Sequence, residues 1–249
     1  MGKVIGGLKA AGKGFLGLLF PEGITCNCCG GEIPYKEGVY VCAPCSEKLP
    51  RAEGKRCKKC SAEISDLSDF CMRCQSFALE FDAARFAYRY EGEAKRLVLR
   101  FKDGGERHLA SQLAAVMAEE LRVSGWEFDA LTYVPLTPRA ERERGYNQAK
   151  LLAEGIALLT GTEIVHLLKK VKETGEQKSL SASERHGNLQ GCFRAVSKKM
   201  CAGKSVLLID DVMTTGATAS VCAVVLKRAG AAKVCVLTVC STVKTGAFF

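Results

Sequence analysis

The chain has 249 residues, 14 cysteines and a formal net charge of +9 at neutral pH. This length allows one well-buried domain and a smaller module, and no apolar stretch approaches the roughly 20 residues that a membrane-spanning helix needs. The sequence therefore predicts no transmembrane segment. Its charge suits an anionic partner such as a nucleic acid, a nucleotide or a membrane surface, although solubility alone would explain the charge equally well.

A short apolar run near the N-terminus resembles a signal peptide only superficially. Residues 15–20 follow three lysines, but Gly17 interrupts the run and no cleavage site of small residues comes after it. Four apolar side chains can instead share one side of a short helix: Leu8, Phe15, Leu18 and Leu19. We expect this helix to pack on its own protein, and a helix that binds a membrane surface or a partner is the alternative.

The first third of the chain contains four C-x-x-C pairs. They are Cys26 with Cys29, Cys42 with Cys45, Cys57 with Cys60, and Cys71 with Cys74. Each such turn supplies half of a tetrahedral Zn²⁺ site, so that two pairs make one closed, structural site of four cysteines. Pairing in chain order gives two zinc ribbons, while a crossed arrangement of the first pair with the third stays open. Clustered pairs favour one or two structural zinc ions over redox-active pairs or a secreted disulfide framework.

The composition changes after the last C-x-x-C pair. We predict an N-terminal module of residues 1–78, with the helix and a double zinc ribbon, and a second domain of residues 79–249. The predicted elements of that domain, in chain order, are a strand at 81–90, helices at 94–101 and 109–121, a buried strand at 129–136, a helix between Asn147 and Gly161, a strand at 206–209, a helix after Thr218 and a strand at 233–240. Strands that alternate with helices indicate an α/β domain with a mainly parallel sheet. Ligands of such sheets bind outside the carboxyl ends of the strands.

Two acids and a turn rich in hydroxyl groups follow the predicted strand at residues 206–209. The acids are Asp210 and Asp211, and the turn consists of Thr214, Thr215, Gly216, Ala217 and Thr218. The N-terminus of the next helix can hold a phosphate through its backbone N–H groups and its dipole, and glycine lets the backbone approach closely. The carboxylates suit sugar hydroxyl groups, a Mg²⁺ ion, or both. A ribose 5-phosphate fits this pattern, with the phosphate in the turn and the 2- and 3-hydroxyls on the acids.

A second edge of this site is expected after the strand at residues 129–136. Pro135, Arg139 and Arg144 belong to the connection that follows, and planar guanidinium groups match phosphate oxygens well. Acidic residues lie between them, so a charge-balanced helix face is the alternative. The long polar segment of residues 169–193 predicts a lid over the ligand or a flexible hairpin, with a plain surface loop as the alternative.

The block from Asp210 to Thr218 resembles the phosphoribosyl pyrophosphate (PRPP) motif of type I phosphoribosyltransferases. With further motifs it resembles the ComF family over nearly the whole chain: Leu18-Leu-Phe-Pro21, the cysteine knuckles, Tyr90-Glu-Gly, Val134-Pro-Leu, Arg144-Gly-Tyr-Asn-Gln148, Gln177 through Leu180, Glu184-Arg185 with Asn188, and Gly191 with Phe193. Thr137 stands where the family usually has His, and Lys170 and Lys172 stand where Arg is common. Lysine keeps the charge of arginine but lacks its bidentate fork.

The resemblance implies a type I phosphoribosyltransferase fold, a Rossmann-like parallel sheet with a hood, preceded by a small zinc-ribbon module with four-cysteine metal sites. It implies that PRPP binds with Mg²⁺ at the acids, the threonine turn and the opposite loop, and that Gln177, Arg185 and Asn188 join them from the polar segment. It also implies a bacterial protein of natural competence, in the cytoplasm or at the inner face of the membrane, that helps to bring single-stranded DNA into the cell with the uptake machinery.

Two functions from different classes fit these observations. The first is a ComF-type competence protein that binds PRPP and single-stranded DNA, with basic segments at residues 55–59, 95–102 and 139–144 along the DNA backbone. Phe101, Tyr146 or Phe193 would offer stacking faces to the bases. The alternative is an active Mg²⁺-dependent phosphoribosyltransferase of nucleotide or small-molecule metabolism, although no element for recognising an acceptor is evident.

Overall fold

The computed structural model describes residues 25–34, 40–65, 67–172, 189 and 191–242. The predicted N-terminal helix and three predicted ligand-binding residues, Gln177, Arg185 and Asn188, lie outside these residues. The chain divides into two compact units, Met1–Lys48 and Leu49–Phe249. The second group of cysteines therefore shares a unit with everything that follows it, whereas the boundary predicted from composition separates residues 78 and 79.

The described part of the first unit is a small cysteine-rich module. It contains helix α1 (Ala43–Glu47), which begins after Cys42, and an antiparallel bridge between Thr25 and Glu32. Gly30 adopts a left-handed conformation with φ +75°, and its backbone N–H donates to the carbonyl of Cys26 at 2.8 Å. A left-handed glycine therefore closes the first knuckle.

The second unit is an α/β domain. Its elements, in chain order, are α2 (Met72–Ser76), β1 (Ala83–Arg89), α3 (Gly92–Asp103), α4 (Leu109–Ser124), β2 (Ala130–Tyr133), α5 (Pro138–Arg144), α6 (Gln148–Thr160), β3 (Leu168–Lys170), β4 (Phe193–Ala195), α7 (Lys198–Cys201), β5 (Ser205–Met213), α8 (Ala217–Arg228) and β6 (Lys233–Ser241). Strands β1, β6, β5 and β2 form a parallel sheet in that order. None of the helices among the described residues is both long and apolar enough to cross a membrane.

The central strands β5 and β6 carry continuous apolar runs because both of their faces are covered. Residues 206–209 and 236–237 are fully buried. Helices α4 and α6 approach each other so closely that a Cβ on Gly155 would lie 2.5 Å from the Cβ of Ala114. Glycine in the middle of α6 is therefore required by packing, although it costs helix stability.

Strand β5 is longer than the sequence predicts. The expected strand ends at residue 209, whereas β5 continues through both acids to Met213. The reason is pairing, because Asp210 lies in register with Thr238 and Val212 with Cys240 of the neighbouring strand β6. The acids therefore belong to the carboxyl end of β5, within the sheet, and not to a free loop.

The described ends of the long polar segment pair with each other. Strands β3 and β4 form an antiparallel hairpin in which Leu168 faces Ala195 and Lys170 faces Phe193. This agrees with the hairpin interpretation for the ends of the segment, and residues 173–188 between them lie outside the described residues.

The segment that carries the second cysteine group lies along the outer edge of β1. The backbone N–H of Ala84 in β1 donates to the carbonyl of Lys59 at 2.7 Å. Nearby, Arg56 donates to the buried carboxylate of Glu120 in α4 at 2.8 Å, and Arg85 reaches the same carboxylate at 3.4 Å. A buried carboxylate needs such partners, so this contact ties the cysteine segment to the sheet and its covering helix.

Candidate ligand-binding cleft and metal centres

Two groups of four cysteines bring their sulfur atoms together. The Sγ atoms within each group lie within 4.8 Å of one another, and the groups are Cys26, Cys29, Cys42 and Cys45, and Cys57, Cys60, Cys71 and Cys74. Four sulfur atoms at about 2.3 Å from a tetrahedral Zn²⁺ ion lie about 3.8 Å apart. The Sγ–Sγ distances from Cys29 to Cys42 and from Cys60 to Cys71 are 3.9 and 3.5 Å. The geometry groups the pairs in chain order and not crosswise, and each group fits one tetrahedral metal ion.

Backbone N–H groups point at the sulfur atoms of both groups. The N–H groups of Cys28 and Cys42 donate to Cys26 Sγ at 3.4 and 3.3 Å, and the N–H of Cys71 donates to Cys57 Sγ at 3.3 Å. Such donors stabilise a thiolate, the form of cysteine that binds metal. Cys28 is not one of the four cysteines whose sulfur atoms come together, and its backbone N–H donates to one of them.

The acid pair lies at the carboxyl end of β5. The N–H of Asp211 donates to Asp210 Oδ1 at 2.9 Å, and the N–H of Val212 donates to Asp211 Oδ1 at 2.7 Å. Asp211 is buried. Burial, together with the neighbouring Asp211 carboxylate, raises the pKa of Asp210. Asp210 therefore resists ionisation unless a cation lies beside it.

The turn after β5 leads into the N-terminus of α8. Gly216 is the N-cap residue with φ +71°, and a Cβ there would lie 3.4 Å from Phe81 Cε1 and 3.6 Å from Leu79 Cδ2. Thr214 and Thr218 face the cleft on either side of this glycine. The positive end of a three-turn helix and two hydroxyl groups thus meet at the position that the sequence predicts for a phosphate.

Two polar side chains at the start of α6 hold the side of the cleft that lies opposite the acid pair and the threonine turn. Asn147 Oδ1 accepts from the N–H of Lys150 at 3.1 Å, and Asn147 Nδ2 donates to the carbonyl of Val134 at 3.1 Å. Gln148 Nε2 donates to the carbonyl of Lys102 at 3.1 Å. Asn147 therefore caps α6 and anchors the loop after β2, and Gln148 anchors the end of α3.

Lys102 is a cleft residue that the sequence does not single out. Its Nζ lies 3.3 Å from Asp211 Oδ2. The Asp211 carboxylate raises the pKa of Lys102, and burial opposes this shift. In the sequence Lys102 is one of several basic residues in a helical stretch, and the only signal is its place directly after the buried stripe that ends at Phe101.

The acid pair, the threonine turn, the start of α6 and the end of α3 line a single open cleft among the described residues. Its volume is about 410 Å³, which is within the usual range of small-molecule sites. The predicted residues that line it are Pro135, Arg144, Asp210, Asp211, Thr214 and Thr218. The residues that line it without having been predicted as ligand-binding include Tyr90, Lys102, Asn147, Gln148 and Lys170. Thr215, Gly216 and Ala217 form the turn and the first position of α8 beside the cleft.

Arg139 lies on α5, where its Nε donates to Glu143 at 2.8 Å, and both side chains are exposed. This is the charge-balanced helix face that the sequence offers as the alternative to phosphate binding. Thr137, which replaces the usual His, accepts from the N–H of Ala140 at 3.2 Å and caps the same helix.

The three aromatic residues predicted to stack on bases are buried, so that prediction is wrong. Phe101, Tyr146 and Phe193 are each at most 7% exposed. The ring of Phe101 packs against that of Tyr146 at a centroid distance of 6.0 Å. The exposed aromatic side chains include Phe70 and Phe77, which flank α2 next to the second cysteine group.

Comparison with known proteins places these features in a family. Competence protein F of Haemophilus influenzae is 30% identical to this chain over 213 residues, which cover 82% of this chain and 91% of that protein. The DNA utilization protein YhgH of Salmonella typhimurium is 29% identical over 208 residues, with 81% and 90% covered. No family model matches the chain.

Among solved structures, the glutamine PRPP amidotransferase from B. subtilis aligns with 25% identity and a TM-score of 0.38, over 53% of this chain and 26% of that chain. The fold itself is evident from the parallel sheet, the acid pair at its carboxyl edge and the threonine turn at the following helix. With two cysteine groups preceding this type I phosphoribosyltransferase fold and 30% identity to a relative over most of both sequences, the chain belongs to the ComF family.

Proposed function

We propose that this chain binds PRPP at the carboxyl edge of its sheet and has a role in DNA handling during natural competence. The observation that supports PRPP binding best is that the acid pair and a hydroxyl-lined helix N-terminus open into the same cleft. The names of the two relatives, a competence protein and a DNA utilization protein, support the competence-related role.

In this proposal the 5-phosphate of PRPP lies at the N-terminus of α8 and accepts hydrogen bonds from Thr214 and Thr218. The ribose hydroxyls donate to Asp210 and Asp211. The diphosphate extends towards the loop after β2, where Arg144 faces the cleft. Mg²⁺ prefers oxygen ligands and often combines one or two carboxylates with phosphate oxygens, so the acid pair fits it; when bound, Mg²⁺ would neutralise charge on the diphosphate.

Thermal unfolding of the zinc-loaded protein, with and without PRPP and Mg²⁺, tests this proposal. PRPP at a hundredfold excess over its dissociation constant should add about 2.7 kcal/mol to the stability of the wild type. The Asp210→Asn/Asp211→Asn variant should lose this gain, because asparagine lacks the negative charge of the carboxylate and has a donor NH₂ group in place of one acceptor oxygen. The control Glu119→Gln/Glu127→Gln removes two exposed carboxylates outside the cleft and should keep the gain. The absence of any shift in the wild type would contradict PRPP binding.

A second candidate is an active Mg²⁺-dependent phosphoribosyltransferase. The hairpin side of the cleft favours it, because Leu189 and Phe193 give the cleft that holds the acids an apolar wall, and apolar walls help to exclude water. The reaction would be displacement of diphosphate at the anomeric carbon by an acceptor nitrogen. Diphosphate release with a panel of purines, pyrimidines and amines supports this candidate, whereas no release from protein that binds PRPP supports a binding role alone.

We also propose that the chain binds single-stranded DNA in the cytoplasm or at the inner face of the membrane, together with the uptake machinery, and that each cysteine group holds Zn²⁺. The net charge of +9 supports DNA binding. So does the surface around α2, where Arg73 stands between the exposed rings of Phe70 and Phe77 in the sequence.

A further inference from the structure

The backbone around Lys102 is anchored on both sides. The hydroxyl of Tyr146 donates to the carbonyl of Phe101, and Gln148 Nε2 donates to the carbonyl of Lys102 itself at 3.1 Å. Phe101 is fully buried. The last turn of α3 is therefore held against the start of α6, and the ammonium group of Lys102 is kept inside the cleft.

This ammonium group occupies the side of Asp211 that faces the cleft. Asp211 Oδ1 accepts the N–H of Val212 at 2.7 Å, and Asp211 Oδ2 lies 3.3 Å from Lys102 Nζ. Asp211 is buried, and Asp210 adds a second carboxylate directly beside it. A cation that enters the ligand-free cleft has to displace the ammonium group from a carboxylate that has little access to water.

We propose that Lys102 is the resident cation of the acid pair: it excludes Mg²⁺ from Asp211 in the ligand-free protein and supplies positive charge to the diphosphate of a bound ligand. The second half of this inference rests on the proposed PRPP binding, and the first half does not. Lys102 and Arg144 both line the cleft, so an entering diphosphate meets two fixed positive charges. Ligand binding therefore depends less on Mg²⁺ than it would in a cleft that held the acid pair without Lys102.

The first arm of the test uses Mg²⁺ alone. Calorimetric titration of Mg²⁺ into zinc-loaded protein compares the wild type with Lys102→Met, which keeps the length of the side chain and removes its charge. Lys102→Met should bind Mg²⁺ at least tenfold more tightly, while Lys102→Arg should resemble the wild type. The matched control is Arg96→Met, which removes an exposed positive charge from the same helix and should change nothing. Equal Mg²⁺ affinity in wild type and Lys102→Met would overturn the inference.

The second arm measures the thermal shift caused by PRPP in buffer depleted of divalent cations and again with Mg²⁺. The wild type should keep at least half of its shift without Mg²⁺, and Lys102→Met should keep none until Mg²⁺ is added. A wild-type shift that disappears without Mg²⁺ as fully as that of Lys102→Met refutes a role for Lys102 towards the diphosphate. A wild type that shows no shift even with Mg²⁺ refutes PRPP binding instead, and the first arm still decides whether Lys102 holds the cation position.

Should Lys102→Met fail to fold, Lys102→Gln replaces it in both arms. Each variant is compared with its own ligand-free melting temperature, so a general change in stability does not enter the result.

Discussion

Asp210 differs from an exposed carboxyl group because of its surroundings. Burial and the adjacent Asp211 carboxylate raise its pKa, and the ammonium group of Lys102 opposes them only in part. An unfolded Asp side chain ionises near pH 4, whereas the native state holds the Asp210 proton to a pH of about 8, the raised pKa. Between these values the native state binds more protons than the unfolded state, so the contribution of Asp210 to stability falls as the pH rises.

Asp210→Asn should therefore become more stable than the wild type as the pH increases. We expect a small difference at pH 5 and a clearly higher melting temperature of the variant at pH 8.5, because each pH unit between the two pKa values corresponds to about 1.4 kcal/mol. Calorimetry across that range, without Mg²⁺ or PRPP, measures the difference. Asp103→Asn, which removes an exposed carboxylate at the end of α3, is the control for the loss of one negative charge. A difference in melting temperature between Asp210→Asn and the wild type that stays constant with pH would show that burial does not raise the pKa of Asp210.

At the scale of elements, the turn between β5 and α8 is held in place by the second cysteine group and the segment that follows it. The backbone N–H of Glu80 donates to Ser220 Oγ at 3.0 Å, and Arg73 Nη1 donates to the carbonyl of Thr214 at 3.4 Å. Phe81 lies against Gly216 from the same side. The turn is thus positioned by contacts from a distant part of the sequence as well as by its own residues.

Gly216→Ala should separate the effect of this turn on ligand binding from its effect on stability. Its φ of +71° costs a non-glycine residue about 1 to 2 kcal/mol, and the new methyl group would contact Phe81. Gly203→Ala is a matched control, because Gly203 has the same φ and no neighbour within 4 Å of a new Cβ. We expect similar losses of melting temperature in both variants and a loss of more than half of the PRPP-induced shift in Gly216→Ala alone. Equal PRPP shifts in the two variants would contradict a role of the turn in phosphate binding.

Local patterns in the sequence were sufficient to predict most elements of this domain. Apolar stripes and caps mark the helices, as Asn147 and Gly161 mark α6, and the acids with the threonine turn mark the cleft. Lys102 could not be found in this way, because its pairing with Asp211 depends on how α3 packs against the start of α6. The burial of Phe101 and Tyr146 has the same origin, since a sequence does not show which aromatic rings pack against each other.

At the scale of the whole molecule, the proposed DNA binding depends on the net charge and on exposed aromatic rings. The net charge is +9, and Phe70 and Phe77 are 44% and 56% exposed. Nucleic-acid binding by such a surface combines release of counterions from the backbone with stacking of the bases. The two contributions can be separated, because salt weakens the first and removal of the rings weakens the second.

We predict that affinity for single-stranded DNA falls linearly with the logarithm of salt concentration, with a slope of about −0.7 for each phosphate that is neutralised. Phe70→Ser/Phe77→Ser should weaken binding by about tenfold or more, since a stacked base contributes roughly 1 to 3 kcal/mol, and should leave the salt slope unchanged. Leu158→Ser, at an apolar residue on α6 that is 88% exposed, is the control for loss of surface hydrophobicity. Fluorescence anisotropy with a labelled oligonucleotide measures both quantities, and binding that salt does not affect would contradict the prediction.

The segment from Leu49 to the second cysteine group covers an edge of the sheet, so it limits where this chain can be truncated. It runs along the outer edge of β1, where Arg89 donates to the carbonyl of Pro50 and Ala84 to that of Lys59. A truncated chain that begins after residue 78 would expose this edge to aggregation, whereas one that begins at Leu49 would keep it covered. If a zinc ion holds the second group, a shortage of zinc would leave chains whose sheet edge is unprotected. A shortage of metal would then affect the α/β domain as well as the cysteine groups, and zinc supply would limit how much of this protein folds.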